Sequence, residues 1–211
     1  MVTATAPATD THHDAHDPHA TNTGISNNKL AMWLFLSTEC LLFGALISTY
    51  LIYKTRGNGE VLPTDLFDIP FTSVSSFVLL MSSLTMVLAL SAFGRNDLDR
   101  GKAWLLVTAM LGAVFMGGQA YEFTAFYEEG LGYTTNPAAS AFYTLTGFHG
   151  AHVSIGIIML MSLWVAANQG KLTGKNSETV EIVGLYWHFV DLVWIFICLL
   201  YTSPSPRDSS Q

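Results

Sequence analysis

Residues 70–93 read PFTSVSSFVLLMSSLTMVLALSAF, a run of 24 residues without a charged side chain. An α-helix needs roughly 20 predominantly apolar residues to cross the hydrocarbon core of a membrane. Four other runs in the chain have a similar length and apolar character. The five predicted spans are 29–53, 70–93, 102–127, 140–167 and 179–201. The sequence therefore predicts an all-α integral membrane protein, with a single five-helix transmembrane domain over residues 29–201.

The composition of the chain also indicates that lipid is its solvent. Half of the 211 residues are apolar and only 12% are charged, whereas about a quarter of the residues in soluble domains are charged. The formal net charge is −7, so no basic surface suggests a nucleic-acid partner. Cys40 and Cys198 lie in apolar runs without a CxxC motif, and we expect buried, reduced thiols that pack as small apolar groups.

Basic side chains are distributed unequally between the two predicted sides of the membrane. Because short cytoplasmic loops carry the excess of Lys and Arg, the side with more of them is predicted to be cytoplasmic. The N-terminus is then cytoplasmic and the C-terminus outside. One side carries Lys29, Arg95, Arg100, Lys102, Lys171 and Lys175, and the other carries Lys54, Arg56 and Arg207.

The two ends of the chain differ from the helices in composition. Residues 1–28 are rich in His, Asp and Thr and contain too few apolar side chains to offset the entropy lost on ordering, so we expect a disordered tail. Residues 198–211 resemble translated sequencing-adaptor sequence, and the alternative is a natural Ser/Pro-rich tail. If the segment is derived from an adaptor, the native fifth helix is defined only to about Ile197, and Arg207 is excluded from the comparison of basic residues on the two sides.

Several ionisable or strongly polar side chains lie inside the predicted spans. A charged side chain at the centre of a bilayer costs at least about 2.5–3.5 kcal/mol. These groups are therefore expected to face the bundle, a cavity or another subunit. They are Glu39 in the first span, Gln119 and Glu122 in the third, His149 and His152 in the fourth, and Glu181, His188 and Asp191 in the fifth.

Helical spacing places these polar residues on stripes that also contain small residues. Residues three, four or seven positions apart share a helix face, and small residues beside polar ones suit close contact and interhelical hydrogen bonds. The predicted stripes are Gly112, Phe115, Gln119 and Glu122; His149, His152 and Gly156; and Glu181, Gly184, His188 and Asp191.

Three interpretations of these residues remain open at this level. Histidines and carboxylates suit a site for iron or zinc, although ExxH and HExxH motifs are absent. Intramembrane acids also mark the proton or ion paths of transporters, although no pair of Gly/Pro-broken helices is visible. In the third interpretation, which the pattern favours, they pair helices, contact lipid and dock a larger complex.

Four segments, in order and each on a predicted span, resemble a known family. They are Trp33-Leu34-Phe35-Leu36-Ser37-Thr38-Glu39 with Phe43; Leu111-Gly112-Ala113-Val114-Phe115 leading to Gln119, Glu122 and Phe123; FYTLTGFHGAHV over 142–153; and Glu181 followed by YWHFVDLVW over 186–194. Together they cover residues 29–197, and they are similar to subunit III of the haem-copper respiratory oxidases, the group of cytochrome c and quinol oxidases.

This resemblance implies a subunit of a proton-pumping terminal oxidase without a redox centre or catalytic residue of its own. Haem and copper would lie in the partner subunits I and II, and this chain would bind no metal or cofactor. It would pack on subunit I, contact membrane lipids, and support stability and proton uptake in a bacterial plasma membrane. Glu39 is the candidate for proton handling. Structural, lipid or subunit contacts are assigned to Gln119, Glu122, His149, His152, Glu181, His188, Asp191 and Trp194.

Two departures from the family pattern limit what the resemblance implies. Mitochondrial-type subunit III has seven helices, so five place this chain with the shorter bacterial form. The His-bearing acidic tail is similar to that of quinol oxidases, whereas Ser37-Thr38-Glu39 favours the cytochrome c enzyme. We expect cytochrome c as the electron donor. The alternatives are a quinol oxidase, a subunit III-like partner of a nitric oxide reductase, and a stand-alone proton-coupled transporter.

Overall fold

The computed structural model describes residues 26–56, 69–172 and 177–202. They form α1 (Asn27–Arg56), α2 (Ile69–Gly94), α3 (Leu98–Glu128), α4 (Pro137–Asn168) and α5 (Ser177–Thr202). Each helix is long and apolar enough to cross a membrane, so the described part of the chain has the predicted all-α fold with five long apolar helices. The predicted orientation of the termini stays a prediction.

Every helix extends beyond its predicted apolar span, and capping side chains mark where three of the helices begin. The Oγ of Ser26 accepts a hydrogen bond from the N–H of Lys29 at 3.3 Å, so α1 begins at Asn27. Asp97 caps α3. The Oδ1 of Asn136 accepts from the N–H of Ala139 at 2.6 Å and caps α4.

The two predicted terminal segments lie largely outside the described residues. Of the predicted disordered tail over 1–28, the structure describes only the last three residues, and α1 already includes Asn27 and Asn28. Of the suspected adaptor-derived segment, residues 198–202 continue α5, and 203–211 lie outside the described residues.

Packing divides the helices into a central group and a peripheral one. Helix α2 packs on α3 and α5, α3 on α4, and α4 on α5, while α1 contacts α4 and α5. In the most apolar 18-residue window of α5, 50% of residues are buried, against 11% in α1. We call α2–α5 the four-helix core, with α1 on its side.

Trp187 of α5 lies at the centre of the four-helix core. Its ring fills space left by two glycines: a Cβ on Gly112 of α3 would lie 2.6 Å from Cη2, and a Cβ on Gly156 of α4 would lie 2.8 Å from Cε3. Its Nε1 donates a hydrogen bond to the Oγ of Ser82 on α2 at 3.0 Å. One indole therefore joins all four helices, and the stripes containing Gly112 and Gly156 allow the close contact that their spacing predicted.

Candidate functional site

The polar side chains inside the spans do not form a single cluster. The structure places them in separate groups, each built by a different pair or trio of helices. The groups are an acid–imidazole pair between α1 and α4, a carboxyl group between α2 and α3, a carboxyl group between α2 and α5, a buried imidazole on α4, and an ion pair at the helix ends.

Glu39 and His152 form the acid–imidazole pair. The Oε2 atom of Glu39 on α1 lies 3.1 Å from the Nε2 atom of His152 on α4. Both side chains are largely buried, at 14% and 13% exposed. The sequence suggested no basic partner near Glu39, because the two residues are 113 positions apart.

Helix periodicity explains why Glu39 faces the bundle. The buried residues Leu36, Phe43 and Tyr50 of α1 recur every seven positions, and Glu39 occupies the position three after Leu36. Buried side chains spaced by three and four residues form the narrow contact seam of two packed helices. Glu39 is thus a polar member of an otherwise apolar seam, and this heptad spacing was a usable sequence signal.

Aromatic rings and one hydroxyl hold the imidazole of His152 in place. The edge of Phe43 on α1 approaches the imidazole with centroids 5.1 Å apart, and Tyr186 on α5 lies nearly parallel to it at 6.5 Å. The hydroxyl of Tyr186 also donates to the carbonyl oxygen of His152 at 3.0 Å. The pair therefore lies where α1, α4 and α5 meet.

Glu122 of α3 is enclosed by hydrogen-bond donors. The hydroxyl of Thr72 on α2 donates to Oε1 at 2.8 Å, and Nε2 of Gln119 donates to Oε2 at 3.1 Å. Both Glu122 and Gln119 are buried. Each carboxyl oxygen therefore has a partner, and the bond from Thr72 joins α2 to α3.

Serine side chains of α2 supply the partners of the polar residues on α5. The Oγ of Ser83 donates to Oδ2 of Asp191 at 2.6 Å, and Nε1 of Trp194 donates to the Oγ of Ser76 at 3.0 Å. Asp191 is buried, and His188 on the same helix is half-buried. Sequence reasoning missed these α2 hydroxyls, although Ser76 and Ser83 share a helix face at a spacing of seven.

His149 is separated from His152, although the two share a helix. Its ring stacks on Trp194 of α5 at 5.0 Å and meets Phe115 of α3 edge-on at 6.1 Å. It is fully buried, and neither ring nitrogen has a hydrogen-bond partner among the described residues. The predicted stripe of His149 and His152 therefore faces two different interfaces.

Glu181 lies at the edge of the bundle. Its carboxylate pairs with the ammonium of Lys29 at 2.8 Å, with 40% of its side chain exposed. One turn earlier, the hydroxyl of Ser26 donates to the carboxylate of Glu178. These contacts join the N-terminal ends of α1 and α5, so the two helices run in the same direction.

The described residues contain no group of three or more His, Cys, Asp or Glu side chains that could hold a metal ion. A cleft of about 610 Å³ opens between the C-terminal half of α1 and the start of α4. Apolar and hydroxyl-bearing side chains line it, including Leu46, Tyr53, Thr135, Ala141 and Thr144.

Comparisons with known proteins agree with one another. The family described as cytochrome c oxidase subunit III matches residues 7–203, which include all five helices. Cytochrome c oxidase subunit 3 of Bacillus sp. (strain PS3) is 40% identical over 171 residues, covering 81% of this chain and 83% of that protein. Quinol oxidase subunit 3 of Bacillus subtilis (strain 168) is 38% identical over 170 residues, covering 81% and 83%. Cytochrome bo(3) ubiquinol oxidase subunit 3 of Pseudomonas aeruginosa is 35% identical over 189 residues, covering 89% and 90%.

Proposed function

Because the chain belongs to the cytochrome c oxidase subunit III family and is a subunit of a haem-copper oxidase complex, we propose that it stabilises the catalytic subunit and supports its proton uptake. It packs on subunit I, which lies with subunit II in the same complex, and those two subunits hold the haem and copper. The complex pumps protons across a bacterial plasma membrane while electrons pass from cytochrome c to oxygen.

One observation supports the proton-handling part of this proposal. Glu39 is the 13th residue of the 30-residue helix α1, near its middle, and the partner of its carboxyl group is an imidazole at 3.1 Å. Acids at this depth typically mark proton paths, and histidine is the side chain best suited to accept and return a proton near neutral pH.

Replacing Glu39 with Gln in the purified complex tests this role. The amide keeps the size of the side chain and a hydrogen bond to His152 but removes the exchangeable acidic proton. We expect fewer protons pumped per electron or a shorter turnover lifetime. Cys40→Ser is the matched control, because Cys40 is the neighbour on the same helix and is exposed, so the predicted burial of its thiol was wrong. Unchanged pumping and an unchanged lifetime in Glu39→Gln would rule out proton handling by Glu39.

Quinol is the second candidate for the electron donor. A relative named quinol oxidase subunit 3 is nearly as similar to this chain as a relative named cytochrome c oxidase subunit 3, at 38% and 40% identity. The complex that co-purifies with the tagged chain decides between the donors. Turnover with reduced cytochrome c supports our proposal, whereas turnover only with a quinol supports the alternative.

Lipid contact is a further part of the proposed role. The cleft between α1 and α4 has apolar walls and hydroxyl groups near one end of the helices, a combination that suits an acyl chain and its polar headgroup. Bulky substitutions of the wall, such as Ala141→Phe, are expected to reduce the lipid retained by the purified complex. Lipid content measured by mass spectrometry checks this.

A further inference from the structure

We propose that Glu39 and His152 hold one proton between them, so that Glu39 exchanges its proton with Nε2 of His152. The inference rests on the proposed role of Glu39 and adds to it a second residue that sets the protonation of Glu39. It follows from the partners of the two ring nitrogens.

The Nδ1 atom of His152 has a hydrogen-bond acceptor on its own helix. This atom lies 2.7 Å from the backbone carbonyl oxygen of Phe148, one turn earlier on α4. A carbonyl oxygen can only accept a hydrogen bond. The Nδ1 atom therefore carries a proton, and the tautomer of the imidazole is fixed by its own helix.

The Nε2 atom of His152 and the Oε2 atom of Glu39 are best satisfied by a single proton between them. If neither atom carried a proton, two acceptors and a net negative charge would face each other at 3.1 Å in a largely buried site. If both carried one, two donors would meet, and the pair would be positively charged. Each arrangement leaves a buried polar group without its hydrogen bond, which is costly. One proton in the gap satisfies both atoms and leaves the pair with no net charge.

The surroundings of the pair also favour one shared proton. Within the described part of the chain, the carboxyl group of Glu39 makes no hydrogen bond except that with His152. The rings of Phe43 and Tyr186 lie against the imidazole of His152. When the proton moves from Oε2 to Nε2, a neutral acid and imidazole become a carboxylate and an imidazolium, and the net charge stays zero. The transfer therefore leaves no unpaired charge among these rings, and His152 is the group with which Glu39 exchanges a proton.

Two substitutions of His152 separate this role from a purely structural one. In His152→Gln the amide reaches the position of Nε2 and can bond Glu39, but it cannot take the proton. In His152→Asn the amide matches Nδ1, so it keeps the bond to Phe148 and does not reach Glu39. Infrared difference spectra of the complete oxidase during reduction report the carboxyl group directly, and Glu39→Gln identifies its band.

We expect the Glu39 band of the wild type to lose amplitude in His152→Gln and to move to higher wavenumber in His152→Asn. We also expect proton pumping in His152→Gln and in the double variant Glu39→Gln/His152→Gln to fall to the value of Glu39→Gln alone, because the two residues act as one unit. Cys40→Ser, at an exposed position on α1 beside Glu39, is expected to leave the band in place.

The outcomes that overturn the inference differ from those that overturn the proposed function. A Glu39 band that is present in the wild type and identical in both His152 variants overturns the shared proton but keeps Glu39 as a proton-handling group. A wild type without any band that Glu39→Gln removes overturns both. If either His152 variant fails to assemble, the other still provides the comparison.

Discussion

Helix α1 and the four-helix core are held together by different kinds of contact. In the core, the rings of Trp187 and Trp194 are buried against glycines, other aromatic rings and α2 hydroxyls. Helix α1 has a narrow buried seam, and polar bonds join it to its neighbours at three depths: Lys29 to Glu181, Glu39 to His152, and the Nζ of Lys54 to the carbonyl oxygen of Leu200.

This difference shows how a membrane bundle can carry functional side chains on a peripheral helix, where a substitution has little effect on the fold of the core. Side chains that interlock within a close-packed core depend on one another, so a change in one displaces the rest. A hydrogen bond between membrane helices averages only about 0.6 kcal/mol. We therefore expect substitutions in the core to release the subunit from the complex, and substitutions on α1 to act locally.

The largest effect is expected from Gly156→Ala. The new Cβ would lie 2.8 Å from two atoms of the Trp187 ring, and overpacking of this kind typically costs about 1–3 kcal/mol. The temperature at which subunit III leaves the purified complex, followed on native gels, should fall. Gly147→Ala on the same helix is the control, because a Cβ there meets no atom within 4 Å. Equal release temperatures for the two variants would contradict the proposed packing.

A smaller effect is expected when the hydrogen bond of Trp187 is removed without changing the helix contacts. Ser82→Ala deletes the acceptor of the indole N–H, and both residues are fully buried. An unsatisfied buried donor costs about 1–3 kcal/mol, less what the surrounding polar groups recover. Trp187→Phe removes the donor together with part of the ring.

A double-mutant cycle on the release temperature measures the bond itself. If Ser82→Ala has no further effect in the Trp187→Phe background, the two residues are coupled as the structure indicates. Additive effects would show that Ser82 stabilises α2 in some other way.

The sequence predicted the five helices well, because the length of an apolar run is a direct physical requirement for crossing a membrane. It predicted the helix ends less well. Ser26, Asp97 and Asn136 begin helices inside polar segments, where capping and not hydrophobicity decides the boundary. Periodicity predicted the stripes that contain Gly112 and Gly156. It did not predict that the indole of one residue packs against both glycines.

The arrangement of the site was harder to predict, because spacing within one helix does not say which helix lies opposite. Glu39 and His152 belong to different helices, and so do Asp191 and Ser83. Periodicity placed His149 and His152 on one stripe, whereas the rings of Trp194 and Tyr186 divide them between two interfaces. Glu181 was grouped with His188 and Asp191 by spacing, but depth along α5 places it near Lys29 at the helix end.

A local effect is expected from Glu39→Leu. Leucine fits the apolar seam of α1 but leaves Nε2 of His152 without its partner, and the hydrogen bond lost is worth about 0.6 kcal/mol on average between membrane helices. Hydrogen exchange of the whole complex, followed by mass spectrometry, should rise in the middle of α1 and stay unchanged in α2 and α3. Faster exchange throughout the core would show that α1 and the core unfold together, against the comparison above.

The smallest effect is expected from Lys29→Gln at the end of α1. The ion pair with Glu181 has both side chains partly exposed, at 29% and 40%, and exposed pairs contribute about 0–1 kcal/mol because water and salt screen them. Hydrogen exchange at the first turns of α1 should increase slightly in this variant, and high salt should raise the wild type to the same rate. Lys102→Gln, which removes an exposed pair within α3, controls for the loss of one charge. If Lys29→Gln instead released the subunit as readily as Gly156→Ala, the polar contacts of α1 would matter as much as the interlocked rings of the core. The distinction between α1, where substitutions act locally, and the core, where they release the subunit, would then be wrong.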